Sequence, residues 1–93
     1  MITPQNVIRH ELIGLSVRVA DSSNPRQIGI EGTIVDETRN MLVIMTREGQ
    51  KRIQKRYATF DLRLPDDTRV RVDGSILVMQ PEKRTGMRIR KLR

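Results

Sequence analysis

Apolar residues recur at every second position over two stretches near the front of the chain, Leu15-Val17-Val19 and Ile28-Ile30-Gly32-Ile34, with glycine in the third place of the second set. A period of two puts each set on one face of a β-strand. Residues 41–45 are apolar without a break, the pattern of a strand covered on both faces. Phe60, Leu62 and Leu64 alternate again, then Val70 and Val72 point inward with Arg69 and Arg71 outward. Strands are thus predicted over residues 15–20, 28–36, 41–47 and 50–55, then from 59 with a resumption at 69–73, and last over 75–79. Between them lie turn signals: the polar loop 21–27, residues 37–40, Glu48-Gly49, Pro65-Asp66-Asp67, and Asp73-Gly74 as a two-residue hairpin. Gly14, Gly29 and Gly32 fall where short strands must bend, at bulges or barrel corners. The prediction is mainly β: a small antiparallel barrel of about five to six strands.

The ends read differently. Thr3-Pro4 has the form of a helix start, and Val7, Ile8, Glu11 and Leu12 follow at helical spacing. A second helix is expected from Gln80-Pro81-Glu82, weakened by Gly86 and ending in a basic tail. The chain divides into a helical segment over 1–14, a barrel over 15–79, and a basic helix or tail over 80–93, all one domain. The apolar residues Val7, Ile8, Leu12, Met87 and Ile89 on these ends exceed what capping a small barrel requires, so they are expected to form a partner interface.

Composition narrows the function. With no cysteine among 93 residues, thiolate metal sites and cysteine nucleophiles are excluded, and a reducing compartment fits. No run approaches a membrane span and the N-terminus lacks a signal peptide's apolar core, so a soluble cytoplasmic protein is expected. The net charge of +7 is unevenly placed: residues 1–46 carry four arginines against five acids, and residues 47–93 carry 14 basic residues against six acids. Such asymmetry points to a polyanion, nucleic acid foremost. Fourteen of the 18 cations are arginine, the residue suited to bidentate phosphate contacts.

Catalytic chemistry finds no footing. His10 is the single histidine, and HELIG lacks the second histidine of a zinc H-E-x-x-H helix. No serine has a histidine near in sequence, Asp66-Asp67 reads as a turn, and no phosphate-binding G-x-x-x-x-G-K-[ST] occurs. The chain is expected to have no catalytic residue and to bind no metal or cofactor. Tyr57 and Phe60 are the two aromatics, and Phe60 falls in the core pattern, so base stacking has at most Tyr57 to use. If the nucleic acid is RNA, recognition is expected to rest on phosphates and 2′-hydroxyls of its folded form. The candidates are Arg47, Lys51, Arg52, Lys55 and Arg56 around the Glu48-Gly49 hairpin, and Lys83, Arg84, Arg88, Arg90 and Lys91 at the C-terminus. Arg69 and Arg71 share a strand face and could join the two groups.

These residues also carry a resemblance. Gly14, Val17, Val19, Gly32, Ile34, Asp36, Asn40 and Leu42 match the first Sm-like motif, and VRVDGSIL at Val70 to Leu77 resembles the second. With HELIGL from His10, DETRN from Asp36 and PEKR from Pro81, the chain looks like the archaeal ribonuclease P protein component 1 family. That family is the Sm-like subunit shared with eukaryotic ribonuclease P and MRP. The resemblance implies an Sm-like barrel and an RNA-binding subunit that supports a catalytic RNA in removing the 5′ leader of precursor tRNA. It implies as partners ribonuclease P RNA, a zinc-ribbon protein subunit, other ribonuclease P proteins and, indirectly, precursor tRNA. Divalent metal, expected to be Mg, would belong to the RNA. The isolated chain is expected to be monomeric and inactive as a nuclease. The alternatives are an Sm-like ring threading uridine-rich strands and a ribosome-associated barrel. Against the ring, Asp73 stands where the Sm pocket has arginine, and Thr38 stands where it has an aromatic residue or histidine, leaving Asn40 a turn residue.

Overall fold

Alternation builds the inner wall strand by strand. In β1, Ser16–Ser22, Val17 and Val19 are buried while Ser16 and Arg18 face outward. The strands β2, Glu31–Glu37, and β3, Met41–Thr46, add Ile34, Leu42 and Ile44 to the interior. β4, Gly49–Gln54, adds Ile53; β5, Ala58–Arg63, adds Phe60 and Leu62; and β6, Arg69–Asp73, adds Val70 and Val72. The computed structural model describes residues 12–78 and 89–92. The expected helices, with Thr3-Pro4, Val7 and Ile8 on one and Gln80, Pro81 and Met87 on the other, lie outside the described residues, as does His10.

All strands belong to one antiparallel sheet in the order β4-β3-β2-β1-β5-β6-β7, where β7 is Ile89–Leu92. Side chains from both halves of this sheet, Ile53 of β4 and Val72 of β6 among them, share one apolar cluster. Among the described residues there is no second layer, and a single sheet shares one core this way only by coiling on itself, so the sheet forms a small Sm-like barrel. Two strand irregularities assist the bend, one between Val19 and Asp21 where β1 meets β5, the other between Ile34 and Asp36 where β2 meets β3. They sit at Ala20 and Val35 rather than at the glycines expected to form bulges. Gly14 and Gly29 instead occupy turns at positive φ. Gly32 lies where β2 crosses β3 so closely that a Cβ would stand 1.9 Å from the Met45 carbonyl oxygen.

Among the described residues the sheet has seven strands, in keeping with the small antiparallel barrel that was expected. Three local expectations are corrected. Residues 89–92, expected in a helix or tail, form β7, with Ile89 opposite Val72 and Arg90 opposite Arg71. Asp73-Gly74 is not a hairpin: Asp73 keeps a φ of −69°, and its carboxylate accepts from the Ser75 N–H at 2.9 Å. That contact is an N-cap, and it opens a one-turn helix α1, Gly74–Leu77, where a strand was expected. Ile28 leaves the expected strand face for an exposed turn, since β2 begins at Glu31.

The other turns form as their residues require. Arg47 and Glu48 tip the β3–β4 hairpin, and Gly49 adopts a φ of +109° that disfavours any side chain. Asp66 accepts from the Thr68 N–H at 3.0 Å, tying the β5–β6 turn.

Candidate nucleic-acid interface

The cations expected around the β3–β4 hairpin separate when the chain folds. Lys55 is 1 % exposed; its Nζ donates to Glu37 Oε2 at 2.6 Å and to the Leu77 carbonyl at 2.9 Å. It therefore faces inward, linking the end of β2 to α1, and is removed from the RNA-binding set. The same region is tightly fitted, because a Cβ on Gly74 would lie 1.8 Å from the Lys55 carbonyl oxygen. Arg56 is exposed in the β4–β5 turn, at the far end of β4 from the hairpin tip. Lys51 and Arg52 are consecutive strand residues and so project to opposite faces of β4.

Three of the expected residues, Arg47, Lys51 and Arg69, meet in a groove of about 860 Å³. It crosses the sheet between the turn at residues 28–30 and the tip of the β3–β4 hairpin. Two arginines outside the expected set also line it, Arg18 and Arg63. Alternation puts both outward, between Val17 and Val19 and between Leu62 and Leu64, but each stands apart from the runs of cations in the second half of the chain. The five cations face three acids on the lining, Glu31, Glu48 and Asp61. Asp61 is already engaged: Arg71 donates to it from Nε at 2.8 Å and from a terminal nitrogen at 3.1 Å. The hydrogen bond to Asp61, then its charge, raises the Arg71 pKa, so Arg71 stays cationic. Arg18, Arg47, Lys51 and Arg63 have no ion-pair partner among the described residues.

Register orders part of this surface. Across neighbouring strands Arg69 pairs with Arg63, Arg63 with Ser16, Ser16 with Thr33, and Thr33 with Met45. Cross-strand partners share a face, and all five are exposed.

Of the remaining expected residues, Arg90 and Lys91 lie on β7 beside Arg71 and Val70, while Lys83, Arg84 and Arg88 lie outside the described residues. Leu12 is 0 % exposed within the core cluster, so its side chain supports the fold and is withdrawn from the partner interface. Ile13 beside it is exposed. Ile89 sits on a strand rather than on a helix face. Phe60 is in the core and Tyr57 is exposed, as expected. Among the described residues no helix is long and apolar enough to cross a membrane.

Fold and groove together define a basic, Sm-like β-barrel whose sheet gathers five cations along one open groove. The family described as ribonuclease P/MRP, subunit p29, matches residues 5–87. "Ribonuclease P protein component 1" of Methanosphaera stadtmanae is 44 % identical over 93 residues, covering 100 % of both chains. The protein of that name from Methanothermobacter thermautotrophicus is 48 % identical over 92 residues, covering 98 % of this chain and 99 % of the other. A solved structure, of Mth11, a homologue of the human RNase P protein Rpp29, superposes with a TM-score of 0.59 at 47 % identity over 81 % of this chain and 97 % of that one. The chain belongs to the ribonuclease P/MRP subunit p29 family.

Proposed function

We propose that this chain is the RNA-binding protein subunit of ribonuclease P, acting in tRNA processing by holding a catalytic RNA in its working shape while the 5′ leader of precursor tRNA is removed. The groove carries the reading: Arg18, Arg47, Lys51, Arg63 and Arg69 converge on one open surface of a barrel whose relatives are named as ribonuclease P components. Guanidinium groups so placed bind phosphate oxygens in pairs and fix the register of a folded RNA without reading its bases. The chain contributes no nucleophile and no cofactor; the metal-assisted hydrolysis, with Mg the expected ion, belongs to the RNA. It is monomeric alone, works in the cytoplasm, and meets a zinc-ribbon subunit and the other ribonuclease P proteins within the particle.

The test is reconstitution. Adding the chain to ribonuclease P RNA and the remaining protein subunits should raise precursor tRNA cleavage, while the chain by itself should cleave nothing. The tagged chain should also recover ribonuclease P RNA and the zinc-ribbon subunit from its own cells. Metal-dependent cleavage by RNA-free protein, or a stable hexamer or heptamer in gel filtration, would defeat the reading.

A further inference from the structure

The groove row Arg69–Arg63–Ser16–Thr33 combines two kinds of donor in a fixed order: two guanidiniums on β6 and β5, then two hydroxyls on β1 and β2. The four residues stand on adjacent strands, so the row spans three strand spacings, about 14 Å. Ser16 and Thr33 are exposed, and neither hydroxyl has a hydrogen-bond partner among the described residues. Some of the other small hydroxyls in the described fold are spent on structure. Thr46 Oγ1 donates to the Gly49 carbonyl, Thr38 Oγ1 accepts from the Met41 N–H, and Ser75 Oγ donates to Asp73. The hydroxyls of Ser16 and Thr33 remain available on the strand ladder, beside Arg63 and Arg69.

We infer that this row distinguishes RNA from DNA: Arg63 and Arg69 take phosphates, and the Ser16 and Thr33 hydroxyls bond the 2′-hydroxyls of the riboses that follow. A 2′-hydroxyl both donates and accepts, as serine and threonine do, so either direction of the bond is satisfied. DNA of the same shape keeps the phosphate contacts and loses the hydroxyl pairs. The inference rests on the RNA-subunit reading and adds to it the group recognised and the residues that recognise it. Ribonuclease P RNA and precursor tRNA present the same ribose-phosphate chemistry, and titrating each separately shows which one occupies the row.

The experiment measures binding of the full chain to each RNA and to DNA strands of the same sequences, over a range of salt. Ser16→Ala with Thr33→Val should weaken RNA binding roughly two- to tenfold for each hydroxyl lost, the scale of a single neutral hydrogen bond, and leave DNA binding and the salt slope unchanged. Ser16→Thr with Thr33→Ser, which keeps both hydroxyls, should retain the preference for RNA. Arg63→Ala with Arg69→Ala should weaken RNA and DNA alike and flatten the salt slope by up to about 1.8, at roughly 0.9 per phosphate contact. Equal weakening of RNA and DNA by the hydroxyl-deleting pair, or no change in either, would overturn the inference. An arginine pair without effect would place the backbone elsewhere and overturn it too. A native chain that binds no RNA would instead defeat the RNA-subunit reading itself.

Discussion

Replacing Lys55 by methionine removes one charge from the most enclosed ion pair in the described fold while keeping the length of the side chain. The Lys55 side chain is 1 % exposed and that of Glu37 is 12 %, with 2.6 Å between Nζ and Oε2. Removing one partner of a buried pair leaves the other charge desolvated, at a cost of about 3–5 kcal/mol. Glu37 retains some contact with water, so the lower end applies, about 3 kcal/mol. For a domain of this size each kcal/mol moves Tm by roughly 4–8 °C, so Lys55→Met should melt at least about 12 °C below the native protein. Urea unfolding monitored at constant m should show the same loss as a lower midpoint. The double variant Lys55→Met with Glu37→Gln relieves the buried carboxylate but still takes the Lys55 donor from the Leu77 carbonyl, so it should recover part of the loss and end about 1–2 kcal/mol below native. Its RNA affinity and salt slope should equal those of the native chain, because Lys55 touches no solvent-facing groove. A single variant within about 0.5 kcal/mol of native, or a double variant worse than the single, would refute the reasoning.

Gly32→Ala and Gly74→Ala should each destabilise by about 2–3 kcal/mol in thermal unfolding, since their Cβ atoms would meet carbonyl oxygens at 1.9 and 1.8 Å and backbone cannot rotate aside. Leu12→Ser should cost about 3 kcal/mol or more in thermal unfolding, because the side chain is fully buried. Asp61→Asn should release Arg71 into the groove margin, tighten RNA binding at low salt, and steepen the salt slope by up to about 0.9 in filter binding. Its effect on folding should stay under about 1 kcal/mol, because Arg71 is 41 % exposed.

Alternation along the chain determined most of the barrel wall. Leu15, Val17, Val19, Phe60, Leu62, Leu64, Val70 and Val72 are buried as their spacing required, because a strand has two faces and this sheet has one interior. Asp66, after Pro65, ties a turn as its position required. What the local pattern could not decide were matters of distance between remote segments. Asp73-Gly74 suits a hairpin or a helix cap equally, and α1 forms because Ile76 and Leu77 are there drawn into the core. Lys55 reads as one more cation in a basic run until coiling brings Glu37 and the Leu77 carbonyl, 18 and 22 residues away, to its ammonium group. The groove is likewise a product of pairing: Arg18 lies far from Arg63 and Arg69 in sequence, and only the adjacency of β1, β5 and β6 sets them on one face. Side-chain periodicity is a property of each strand alone, whereas charge convergence depends on strand order, which only the assembled sheet determines.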